Sequence, residues 1–185
     1  MNKKHLAAYA AVAALFGVMG TLVALYKKPA PVTPAQVAGD GQAANPAASL
    51  FAQSLSDLEG TLQPLDQWKG KPLLVNFWAT WCAPCVREMP ELSHLAHEDG
   101  GKRFNVIGIG IDSPTNMSQF AEKMEIAYPL YVGGMGGTEL SRGFGNTSGG
   151  LPYTVLIGAD GRVIKTYLGE LKFDELRADL AQLGS

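Results

Sequence analysis

Apolar and polar positions repeat with different periods along this chain, and each change of period marks a new element. Residues 6–26 contain no charged side chain and are bracketed by Lys3-Lys4 and Lys27-Lys28. A helix needs about 20 apolar residues to cross a bilayer, so this run is read as a transmembrane helix. Its downstream flank, Tyr26-Lys27-Lys28-Pro29, lacks the small residues of a cleavage site and has no cysteine for lipidation, so an uncleaved anchor is expected. Residues 29–49 have no apolar period, are dominated by Ala, Pro, Gly and Gln, and carry Asp40 as their only charge. They are expected to form a flexible spacer.

Residues 50–185 have the length of one domain and alternate short β-rich runs with helical ones. Residues 50–56 and 61–65 predict a hairpin around Asp57-Leu58-Glu59-Gly60. Residues 73–78 read as a buried strand, and residues 86–96 as a helix with Met89, Leu92, Leu95 and Ala96 on one face. Pro90 lacks a backbone donor and is expected to kink that helix. Residues 104–111 predict a central parallel strand with Asp112 at its carboxyl end. Ser113 as N-cap and Pro114 at the first position open a helix to about Glu125. Residues 128–132 read as a short strand, 133–137 as a glycine loop and 138–144 as a short helix. Asp160-Gly161 between two apolar runs, the second at 163–168, signals a hairpin, and a last helix covers about 173–183.

The chain has two cysteines, Cys82 and Cys85, three positions apart where the strand hands over to the helix. A thiol in a helix's first turn meets unpaired N–H groups and the positive end of the dipole, which favour the thiolate. Cys82 is the better placed to be that thiolate. Cys85, one turn in, is expected to attack a mixed disulfide formed at Cys82 and release the partner. A zinc site completed by His94 and His97 fits poorly, because His94 lies roughly 13 Å along the helix from Cys85 and zinc ligands sit about 2.3 Å from the ion. A purely structural bridge across so short a loop would restrain little of the unfolded chain.

The segment Trp81-Cys82-Ala83-Pro84-Cys85-Val86-Arg87-Glu88-Met89-Pro90 resembles the W-C-x-x-C-x-x-E-x-P signature of the TlpA/ResA-like branch of the thioredoxin family, membrane-tethered thiol-disulfide oxidoreductases of bacteria. The resemblance covers about residues 50–185. It implies an α/β thioredoxin-like fold, a central mixed sheet flanked by helices, with a cis-proline loop facing the sulfurs. Leu151-Pro152-Tyr153-Thr154 matches that loop, although Pro152 could instead simply start an edge strand. Trp81, Leu151 and Pro152 are then expected to bind substrate, with the backbone of Leu151 pairing with a substrate peptide as an added strand. Asn76 stands where cytosolic thioredoxin has its buried acid, and an amide cannot accept a proton, so an acceptor for Cys85 must come from elsewhere. In relatives an acidic residue follows the central strand near the site, and Asp112 matches it in position. Its alternative role is to help cap the helix at Pro114. In the catalytic role, burial and the thiols should raise its pKa.

The four lysines flanking the anchor carry +4 of a formal net charge of −2, which leaves −6 on residues 29–185. An acidic domain without a basic stripe argues against nucleic acid. The cluster Gly133-Gly134-Met135-Gly136-Gly137 lacks the Lys-Ser/Thr of a P-loop. A peroxiredoxin would need threonine where Ala79 stands. The expected partners are therefore protein thiols and disulfides, plus a membrane electron donor of thioredoxin-reducing type. No cofactor or metal is expected. The resemblance places the domain outside the cytoplasmic membrane, in the periplasm or at the cell exterior, with cytochrome c maturation a task of relatives. A thiol oxidase of the same fold, a copper- or haem-handling module and a mere tether are the alternatives.

Overall fold

A computed structural model describes residues 45–184. The anchor expected at 6–26 and most of the spacer lie outside the described residues. Among the described residues no helix is long and apolar enough to cross a membrane.

The described chain forms a seven-stranded mixed sheet in the order β2-β1-β5-β4-β3-β6-β7, with β1 Ser54–Asp57, β2 Leu62–Pro64, β3 Leu73–Trp78, β4 Asn105–Gly110, β5 Leu130–Val132, β6 Tyr153–Ile157 and β7 Val163–Leu168. Strands β3, β4 and β5 run parallel, while β6 lies antiparallel to β3 and β7 to β6. Alternation along β3 sends Leu74 and Trp78 to one core and Leu73, Val75 and Phe77 to the other. The first core is closed by α2 (Ala83–Asp99), α3 (Pro114–Lys123) and α5 (Phe173–Ala181). The second packs against α1 (Pro46–Phe51) and α4 (Gly134–Gly143). Every residue of β3 is buried, as expected of a strand covered on both faces.

Three expectations need correction. Residues 50–51 belong to α1 rather than to a strand, and α1 begins inside the segment read as spacer. Asn45 caps it through a hydrogen bond from the Ala47 N–H, Pro46 opens it, and Ala47 and Leu50 are fully buried. Residues 134–137 are helical rather than looped. Gly133 and Gly137 lie against Ile109 and Ile111, and a Cβ at Gly133 would stand 2.5 Å from the Ile109 side chain. Close packing accounts for glycine at 133 and 137, while Gly134 has a positive φ of 49°. Finally, α2 begins at Ala83 and runs unbroken through Pro90, three residues earlier than the apolar face alone suggested.

Candidate active site

The end of β3, the loop 79–82 and the start of α2 build the site. Cys82 is the N-cap of α2 in an extended conformation, and its Sγ accepts the backbone N–H of Cys85 at 3.3 Å. Pro84 removes one N–H from this first turn, so the donor at Cys85 is the one aimed at the sulfur. Cys82 and Cys85 are joined in a disulfide with their Cα atoms 5.3 Å apart. Cys82 is 6% exposed and Cys85 fully buried, so attack from outside reaches Cys82 first. Beside them Trp81 is 68% exposed and offers a large apolar surface.

The Leu151-Pro152 bond is cis, and Pro152 lies outside the strand β6, which is internal to the sheet, so it does not start an edge strand. Leu151 packs against the core cluster that contains Cys82 and Cys85. The Pro152 carbonyl accepts the Gly169 N–H at 2.9 Å, which ties the loop to the end of β7.

Asp112 is where the expectation of a raised pKa fails. Its carboxylate accepts the Thr80 N–H at 3.1 Å and the Thr80 hydroxyl, the Ser113 N–H at 2.7 Å and the Asn116 amide at 2.9 Å. Burial alone would push it up, but these donors outweigh burial and hold the carboxyl below its ordinary value. Asp112 therefore fastens the cysteine loop, through Thr80, to the start of α3, whose N-cap is Ser113. It is built to stay charged rather than to exchange a proton.

The acid that sequence reasoning missed is Glu88. It lies one turn after Cys85 on the inward face of α2 and is 2% exposed. One oxygen accepts the Asn76 amide at 2.8 Å and the other the Leu171 N–H at 2.8 Å, while the same Asn76 amide reaches the Thr154 hydroxyl at 3.0 Å. Burial drives its pKa up to about 7, with the charge of Glu170 adding to the shift and the two hydrogen bonds opposing it. A signal was present: a charged residue on a helix face whose neighbours Cys85, Met89 and Leu92 are all buried. Asn76 occupies the position of the missing acid and holds its replacement.

The redoxin family model matches residues 39–180. A thiol-disulfide oxidoreductase ResA of Geobacillus thermodenitrificans is 31% identical over 130 residues, covering 70% of this chain and 72% of that protein. A ResA of Bacillus cereus is 30% identical over 130 residues, covering 70% and 73%. Among solved structures, a thioredoxin-related protein from Neisseria meningitidis serogroup B is 30% identical with a TM-score of 0.62, covering 70% of this chain and 98% of that one.

Proposed function

Because the chain belongs to the redoxin family, among relatives of the thiol-disulfide oxidoreductase ResA, we propose that it reduces disulfides of proteins outside the cytoplasm through Cys82 and Cys85. The observation that carries this reading is the unequal pair of sulfurs: one capping a helix and 6% exposed, the other fully buried one turn from a carboxyl that burial pushes up to about 7. In the reduced protein the Cys82 thiolate attacks a substrate disulfide, forming a mixed disulfide and releasing one substrate thiolate. Glu88 takes the proton of the Cys85 thiol. The Cys85 thiolate then attacks the Cys82 sulfur, the bond to substrate breaks, and the substrate's second sulfur leaves reduced. Trp81, Leu151 and Pro152 hold the substrate segment against Cys82, and Asp112 holds the loop that presents it.

Two electrons leave with each turnover and the chain has two cysteines, so a membrane donor must restore the dithiol. The uncharged run at 6–26 would tether the domain beside that donor, with cytochrome c maturation as one process that needs such a reductant. The direction follows from what stabilises the thiolate. Ala83-Pro84 brings no charge and removes one N–H, so the reduced form gains little beyond the helix terminus. Equilibration with glutathione buffers should give a potential nearer the roughly −270 mV of thioredoxin than the roughly −120 mV of DsbA. A value above about −150 mV would make the protein an oxidase and reverse the reading.

A further inference from the structure

Asn146 is a polar side chain that the domain buries, 2% exposed, in the loop between α4 and Leu151. The end of α4 holds it in place. The Asn146 N–H donates to the Ser141 carbonyl at 3.1 Å and its side-chain amide to the Ser141 hydroxyl at 3.3 Å, and Ser141 is itself buried. From there both ends of the Asn146 amide reach a single residue: Nδ2 donates to the Gly150 carbonyl at 2.9 Å, and Oδ1 accepts the Gly150 N–H at 3.1 Å. This is the exchange that two residues make across an antiparallel ladder, with a side chain in place of the second strand. Gly150 is also hemmed in from another side. A Cβ there would stand 3.1 Å from Leu168 Cδ1 and 3.5 Å from Ser148 Oγ.

Fixing Gly150 decides what the following residue can do. Leu151 precedes a proline and so favours extended backbone. In extended backbone the N–H and C=O of one residue face one side, and those of the next face the other. With Gly150 turned toward Asn146, Leu151 is turned away from it. Among the described residues neither the N–H nor the C=O of Leu151 has a hydrogen-bond partner, while the Pro152 carbonyl is taken by the Gly169 N–H at 2.9 Å. Leu151 thus offers one donor and one acceptor between two neighbours whose backbone groups are all occupied.

We propose that Asn146 is a positioning residue for substrate: by clamping Gly150 it aims the N–H and C=O of Leu151 at an extended substrate segment, and so sets the affinity for peptide disulfides without acting on the sulfur chemistry. The inference rests on the reading that Leu151 pairs with the substrate main chain beside Cys82. Recognition through one residue's backbone reads an extended main chain rather than particular side chains. The substrate class that fits is a disulfide whose cysteine lies in an extended stretch with its own backbone groups unpaired.

The test uses the full reduced chain in single turnover with two disulfides that release the same coloured thiolate. One is a blocked alanine pentapeptide with a central cysteine, joined through its sulfur to 2-nitro-5-thiobenzoate. The other is 5,5′-dithiobis(2-nitrobenzoate), which has no peptide backbone. Asn146→Ala should raise the half-saturating concentration of the peptide roughly 10-fold, the size of one or two neutral hydrogen bonds, and leave both its limiting rate and the rate with the backbone-free disulfide within about twofold. Methylating the nitrogen of either residue next to the peptide's cysteine should cost the wild-type protein a similar factor at one of the two positions. It should cost the variant less, because that pairing is already lost. Asn146→Asp keeps an acceptor for the Gly150 N–H but loses the donor to its carbonyl; it should shift the half-saturating concentration the same way, and it decides the matter if Asn146→Ala does not fold. A half-saturating concentration unmoved in a folded variant overturns the proposal. So does a rate with the backbone-free disulfide that falls in step with the peptide rate, since Asn146 would then only hold the cysteine region together. If methylation costs the wild-type protein nothing at either position, substrate does not pair with Leu151 and the proposal falls with that reading.

Discussion

Glu88 and Asp112 are both carboxylates next to the cysteine-bearing loop, and the fold prepares them for opposite tasks. Asp112 sits at a loop junction where four donors converge from Thr80, Ser113 and Asn116, so its charge is well supported and its pKa lies low. Glu88 receives two donors, one on each oxygen, inside an apolar core, and burial wins over them. The number of donors against the depth of burial, rather than distance along the chain from the cysteines, decides which carboxylate can exchange protons at neutral pH.

That contrast can be broken most directly by neutralising each acid in turn. Glu88→Gln should slow resolution of a mixed disulfide at neutral pH by on the order of 100-fold, as loss of a general base does. Asp112→Asn should leave the shape of the pH profile as it is. If the two variants exchanged behaviours, the assignment of roles would be wrong.

Next in size is the pH dependence of stability in the oxidised protein, where neither cysteine titrates. Glu88 has a folded pKa of about 7 against an ordinary value of 4.5, so between these values the folded state holds a proton that the unfolded state has lost. Stability must therefore fall as pH rises through this window, by about 3 kcal/mol from this residue, and level off above it. Chemical denaturation of the disulfide form at pH 4.5 and pH 8 should show this slope, and Glu88→Gln should flatten it. Asp112 has the opposite sign: its lowered pKa gives stability that is present above the ordinary carboxyl range and lost as pH falls below it. Asp112→Asn should cost about 1–3 kcal/mol near neutral pH, from donors left poorly paired around Thr80. Its acid unfolding should be correspondingly shallower.

The smallest effect should come from Glu170. It pairs with Arg87 at the surface at 2.5 Å, and its charge adds to the upward shift of Glu88. Glu170→Gln should lower the Glu88 midpoint slightly, read from the same pH–rate profile, while leaving the unfolding midpoint of the protein nearly unchanged.

The sequence alone located the chemistry. Two cysteines three apart at a strand-to-helix junction, an apolar β3 and an Asp160-Gly161 turn are signals written within a few neighbouring residues. The structure bears out the strand, the junction and the turn, the last with Gly161 at φ +77°. Local signals failed where packing decides. The glycines at 133–137 read as a loop because their propensity is weak, yet they are helical from residue 134, with Gly133 packed too close to Ile109 of β4 for a side chain. The same limit explains the two acids. Asp112 and Glu88 are equally plain as letters, and a pKa depends on which donors and how much apolar surface surround each carboxyl. Those surroundings come from Asn76, Thr154 and Leu171 for one and from Thr80 and Asn116 for the other. Asn76 and Thr154 come from separate strands and Leu171 from a loop 83 residues beyond Glu88. Only the folded sheet brings such residues together, so the proton chemistry of the site is a property of tertiary structure.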